Sequence, residues 1–257
     1  MKNKLILHVP HASTKLPNKK GFLLEAALLE KEILKLTDWY TDDLFTLNDS
    51  IVVKADFSRI FCDVERFADD SIEPMAKLGM GVIYQRTDDD LILREVTQEL
   101  RLEILNDFYW PHHNKLNSVV ESQLKSVGKA VIVDCHSFPK VPLKKALDQT
   151  INRPDFNIGT DKFHTPNYLI ELSEEFFKKE GFSVGLDWPY SGSIVPIKHY
   201  KQSKNVESIM LEVNRALYLT GEGNQKSSDY LKIKQVVSEY LKTIKTTFCL
   251  KTNIKQK

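Results

Sequence analysis

Cysteine is scarce in this chain. Cys62, Cys135 and Cys249 are the only three among 257 residues, and no two are closely spaced. An odd, scattered count argues against a disulfide framework and fits a reducing compartment. Long apolar runs are missing too. Nothing approaches the ~20 residues of a membrane span, and the apolar stretch at residues 5–9 is too short for a signal-peptide core. The expectation is a cytoplasmic protein with no membrane partner. Nor is charge of one sign in excess, with 36 Lys+Arg against 35 Asp+Glu. A broad nucleic-acid footprint needs a basic excess, so no nucleic-acid partner is expected. The Lys-rich residues 242–257 read as a solvated tail. Repeats, low-complexity tracts and linkers are also absent, so residues 1–257 are expected to form a single domain.

What is present alternates between strand and helix patterns. Residues 5–9 form a short apolar run ending at Pro10, and residues 51–55 form a second. The strongest strand signal is residues 129–134, β-branched and apolar, preceded by Gly128. Residues 157–159 suggest a strand end, and residues 206–213 a final core strand. Helical spacing runs over 23–40 and on through 42–45. It also covers 93–127, with a break expected where Pro111 follows Trp110. Further helices are expected over 165–180, stopped by Gly181, and over 229–246. This alternation predicts an α/β fold, a mainly parallel or mixed sheet with helices on both faces. Polar residues gather at the strand ends: His11, Asp134 and His136, and Glu212 with Arg215. Open α/β sheets bind ligands beyond the carboxyl ends of their strands.

Several of these residues suit metal or hydrolytic chemistry. His8, His11, His112, His113 and His136 are candidate imidazole ligands. Catalytic zinc commonly takes three protein ligands and leaves one position open. Singly, each histidine is as well explained by a hydrogen-bonded structural role. Asp38 is either a ligand or a solvated helix-capping acid. Glu212 interrupts the apolar run Ile209-Met210-Leu211. A buried carboxylate needs a partner, either in a site where it serves as general base or in a salt bridge to Arg215 or another arginine. Arg59 and Arg66 flank Asp63 and Glu65; they either pair internally or grip substrate carboxylates.

The ordered series of motifs resembles the N-formylglutamate amidohydrolases. It comprises His-Val-Pro-His-Ala-Ser at 8–13, Thr-Asp-Trp-Tyr at 37–40 and Ser-Arg-Ile-Phe-Cys-Asp-Val-Glu-Arg-Phe at 58–67. Gly-Met-Gly-Val-Ile-Tyr at 79–84, Trp-Pro-His-His-Asn-Lys-Leu at 110–116 and Asp-Cys-His-Ser-Phe at 134–138 follow. Asn-Ile-Gly-Thr-Asp at 157–161 and Met-Leu-Glu-Val-Asn-Arg-Ala-Leu-Tyr at 210–218 complete it. The resemblance implies a three-layer α/β/α fold like that of zinc exopeptidases, with a mixed, mostly parallel central sheet. It implies hydrolysis of the N-formyl group of N-formyl-L-glutamate or a similar small N-acyl amino acid, within histidine degradation. The implied cofactor is Zn²⁺, held by His11, Asp38 and His136. His11 is preferred to His8 because it lies beyond Pro10. Thr14 stands where zinc carboxypeptidases carry a glutamate ligand, hence Asp38. Glu212 is the implied base, Arg59 and Arg66 the catalytic arginines, and Arg153, Arg215 and His113 the groups around the substrate. Competing expectations are a zinc peptidase or deacylase for another N-acyl compound, and a non-catalytic carboxylate-binding protein.

Overall fold

The fold grows around two long strands that are buried along their whole length. β3 (Ala130–Phe138) and β6 (Val206–Asn214) pair in parallel over nine positions, from Ala130↔Val206 to Phe138↔Asn214. In the computed structural model the described residues are 3–221 and 223–254, with side chains described to 251. β1 (Ile6–Val9) pairs in parallel with β3 and with β2 (Ile51–Lys54). On the other side, β4 (Phe156–Gly159) runs antiparallel to β6 and parallel to β5 (Val184–Leu186). The six-stranded order is β2-β1-β3-β6-β4-β5, the mixed, mostly parallel sheet that the alternation predicts.

Successive side chains of a strand point to opposite faces, and that rule sorts the sheet. Leu5, Leu7, Val131, Val133, Cys135, Ile209 and Leu211 pack on one face with residues of α5 (Asn167–Lys179) and α6 (Tyr230–Ile254). Ile6, Ala130, Ile132 and Val206 pack on the other with Leu116 and Val120 of α4 (Trp110–Val127). The α4 face turns polar toward the carboxyl ends of its strands. There the same alternation presents His8, Asp134, His136 and Glu212, with His8 in register with Asp134 and His136 with Glu212. Asp134, His136 and Glu212 therefore lie within strands and not just beyond them, because β3 continues four residues past the predicted 134.

Two predicted helices differ in instructive ways. The continuous helix over 23–45 is instead α1 (Ala26–Leu36) and the short α2 (Thr41–Leu44). Between them the chain turns extended at Thr37, and Tyr40 takes a left-handed φ of 62°. That is an uncommon conformation for a bulky residue. The break at Trp110-Pro111 does not occur. α3 (Gln98–Ile104) passes through a π turn at Leu105–Tyr109 directly into α4. There the Trp110 N–H bonds Leu105 O, so proline, which has no N–H, is absorbed at the start of a new helical register. β5 has no counterpart among the predicted strands. Residues 242–254, read as tail, extend α6; the residues beyond 254 lie outside the described ones. Among the described residues no helix is long and apolar enough to cross a membrane.

Candidate active site

The break between α1 and α2 brings Asp38 to the sheet. The Asp38 N–H bonds the carbonyl of His11, just past β1. Its carboxylate then meets two imidazoles: Asp38 Oδ2 lies 3.2 Å from His136 Nδ1 and 3.6 Å from His11 Nδ1. His11, Asp38 and His136 are all buried, and each offers one ligand atom within 4.8 Å of the others. Arg215 Nη2 holds the second Asp38 oxygen at 2.8 Å.

The far side of each imidazole is fixed by a carboxylate. His11 Nε2 is 2.8 Å from Asp63 Oδ1, and His136 Nε2 is 3.1 Å from Asp134 Oδ1. Metal-binding histidines characteristically have their other ring nitrogen held this way, which fixes tautomer and ring orientation. His11 Nδ1 is buried without a hydrogen-bond partner among the described residues, as a lone pair that serves a cation would be. The field at this point favours positive charge. Burial alone would lower the pKa of His136, but Asp134, Asp38 and Glu212 hold it well above the ordinary imidazole value. Burial likewise opposes ionisation of Asp38 and Asp63, yet both are held well below the usual carboxylate range. His11, His136 and Arg215 do this for Asp38, Arg59 and His11 for Asp63. The buried His/Asp group can bind a metal ion.

Glu212 faces this group across the β3–β6 pair. Its Oε2 is buried and unpartnered. Burial, with the Asp38 charge adding to it and His136, Arg215 and Arg59 opposing, pushes its pKa up to about 7. The salt bridge to Arg215 weighed from sequence does not form; Arg215 is hydrogen-bonded to Asp38, Ser137 and the Lys35 carbonyl. Arg59 bonds Asp63 through Nε and Nη2 and directs Nη1 to within 3.9 Å of Asp38. Arg66 Nε has no hydrogen-bond partner, and the nearest carboxylate oxygens stand 3.7 and 4.0 Å from its guanidinium. Both arginines line a cavity of about 490 Å³ shared with His11, Asp38, His136 and Glu212.

The three residues expected around the substrate are hydrogen-bonded within the protein, and Arg215 alone of them lines the cavity. Arg153 donates to the carbonyls of Thr150, Pro139 and Asp148 and to the Tyr190 hydroxyl, so it braces a loop. Arg215 reaches the cavity wall with its donors already engaged on Asp38 and its neighbours. His113 bonds the Val64 carbonyl and stands outside the cavity lining. Residues not singled out as site groups also matter. Asp63 orients His11, and Tyr84 donates to Asp63 at 2.7 Å. The Arg59/Asp63 spacing hinted at the first, whereas Tyr84 closed the motif at 79–84 without a role assigned to it.

Beside the site lies a second group, His8, Glu65 and Asp134. His8 Nδ1 is 2.8 Å from Asp134 and 3.1 Å from Glu65, and Nε2 is 2.8 Å from His112 Nε2. Burial opposes it, but Asp134 and Glu65 raise His8 to about 9. Burial and the neighbouring His8 lower His112 to about 2. His8 is thus the donor to both sides.

The profile of a family described as N-formylglutamate amidohydrolase matches residues 3–219. The fold is similar to that of the N-formylglutamate amidohydrolase from Ralstonia eutropha JMP134, at a TM-score of 0.84 and 20% identity over 96% of this chain and 94% of that one. It is also similar to a gene product of Agrobacterium tumefaciens, at a TM-score of 0.66 and 16% identity over 95% and 92% of the two chains. At such identities these two likenesses speak to fold alone. A comparison with curated proteins gives no match. The family match spans most of the chain, and it is this that settles membership: the chain belongs to the N-formylglutamate amidohydrolase family, a family of C–N hydrolases.

Proposed function

We propose that the chain, acting as one catalytic unit over residues 1–257, is a zinc-dependent hydrolase of the N-formyl amide of N-formyl-L-glutamate or a similar N-acyl amino acid. The observation that carries this is the pairing of a prepared cation site with an unpartnered acid. Two imidazoles are oriented by carboxylates toward Asp38, opposite Glu212. His11, Asp38 and His136 would hold the metal. Zinc supplies Lewis acidity there and makes water nucleophilic near neutral pH.

The side chains supply the rest. Glu212, with a pKa near 7 and a free oxygen, takes the proton of the attacking water and delivers it to the amide nitrogen. The amine then leaves neutral, which an amide requires. Arg59 is locked on Asp63 and has Nη1 free toward the site, placed to stabilise charge developing on the acyl oxygen. Arg66, whose Nε makes no hydrogen bond among the described residues, is placed to take the substrate carboxylate. Asp63 and Asp134 act by positioning the two histidines.

Formate release from N-formyl-L-glutamate, measured before and after exhaustive chelation, tests the proposal. Activity should vanish on chelation and return with zinc. Full activity in the metal-stripped protein would sink it.

A further inference from the structure

The cavity is larger, less cationic and more apolar than a formylated dicarboxylate needs. N-formylglutamate has roughly 12 non-hydrogen atoms, whereas cavities of about 300–1,000 Å³ hold drug-sized ligands; this one measures about 490 Å³. A glutamyl substrate brings two carboxylates, and each wants a cation.

The cations are already largely engaged. Arg215 is bonded to Asp38, Ser137 and Lys35. Arg59 is bonded to Asp63 through Nε and Nη2, and its remaining Nη1 is the donor assigned above to the acyl oxygen. Lys145 Nζ sits 2.7 Å from the Leu78 carbonyl and 2.8 Å from Asp90. Arg66 is held most loosely: among the described residues its Nε makes no hydrogen bond, and its nearest carboxylate oxygens, on Asp63 and Glu73, stand 3.7 and 4.0 Å away. One carboxylate is provided for, and the second is not.

The wall next to Arg66 shows what is provided instead. Glu73 lies 4.0 Å from Arg66 and caps the 3-10 turn Pro74–Leu78, which carries Met75 into the cavity lining. Gly79, at a left-handed φ of 73°, turns the chain so that Met80 joins the same wall. Leu36, Leu143 and Leu147 complete it. The acids beyond them, Asp88 and Asp148, line the cavity too. A carboxylate placed against the buried Leu36, Met75 and Met80 would be desolvated and left without a partner. Methionine side chains are polarizable and conform readily to other apolar groups.

Resting on the hydrolytic role proposed above, we infer that the preferred substrate carries a single carboxylate and a bulky apolar amino-acid side chain. Arg66 takes the carboxylate and the Met75–Met80 wall takes the side chain. N-formyl-L-methionine represents this class.

The test compares kcat/KM for N-formyl-L-methionine and N-formyl-L-glutamate on the zinc-loaded full chain, with the acyl group held constant. The methionine compound should lead by about tenfold or more, the scale at which apolar pockets discriminate. Leu147→Lys, at a position 75% exposed and so tolerant of charge, should narrow that ratio by giving a second carboxylate a partner. A glutamate preference would overturn the inference while leaving the hydrolytic role intact. If neither compound is hydrolysed, the hydrolytic role fails. Calorimetric binding of free L-methionine against L-glutamate then decides the inference separately. Tighter methionine binding upholds it; equal, weaker or no methionine binding overturns it.

Discussion

Two clusters of histidine and carboxylate lie side by side on the α4 face of the sheet, sharing Asp134, and they are built for opposite ends. In one, His11, Asp38 and His136 turn ring nitrogens and a carboxylate oxygen toward a common point. The imidazoles are anchored from behind, and His11 Nδ1 is left without a partner. In the other, both nitrogens of His8 are engaged, by Asp134 with Glu65 and by His112. Residue type and proximity are alike in the two. The difference lies in one imidazole: His11 keeps a ring nitrogen without a hydrogen-bond partner among the described residues, whereas both nitrogens of His8 are taken.

Four perturbations probe that contrast and the chemistry beside it. The largest effect should come from His136→Ala. Bound metal, counted by elemental analysis, should fall from about one ion per chain to near none, and hydrolysis should disappear with it. His8→Asn should keep its metal, yet lose about 1–3 kcal/mol of stability in urea melts by stranding buried carboxylates. Equal metal loss in both variants would erase the distinction between the clusters.

Glu212→Gln comes next. It keeps the shape but removes the base, so turnover should drop by roughly 10²–10⁴ while metal content stays at the unmodified level. A variant within a fewfold of normal turnover would remove Glu212 from the chemistry. Smallest is the effect of pH. The folded pKa of Glu212 is raised to about 7, so the ionised base is present above that value and lost as pH falls through it. With a cation bound opposite, the midpoint should sit at or below 7. Below it kcat/KM should decline about tenfold per unit. A flat acid limb down to pH 5 contradicts this assignment.

The sheet and most helices are legible because periodicity reports burial directly. Residues 130–133 and 209–211 are apolar on both sides, as strands covered on two faces must be. What escaped reading was set by tertiary contact. Asp38 sits in a stretch with helical spacing, and only its hydrogen bond to the His11 carbonyl shows why the helix ends before it. Pro111 signals a break, but the π turn that absorbs it leaves no local mark. In the candidate site, His11, His136 and Glu212 stand out as polar residues at a strand end or in an apolar context, whereas Asp38 joins them only through what the family resemblance implies. The arginines could not be sorted, since five donors fit a carbonyl, a carboxylate or a substrate equally well. Arg153 and Arg215 show this: only their contacts reveal that their donors are engaged within the protein.

The reversed direction of β4 has a consequence for how such an enzyme can change. A parallel successor to β3 would have had to descend through a helix and re-enter from the opposite edge. Because β4 begins level with the end of β6, the chain between residues 139 and 155 never leaves the reactive end. It is free to become a roof. The Asp88 carboxylate ties that roof down by accepting from the N–H groups of Lys144 and Lys145. Leu143 and Leu147 contribute to the cavity lining from it. Substitutions there can retune what the enzyme accepts without disturbing the strands that carry His136 and Glu212.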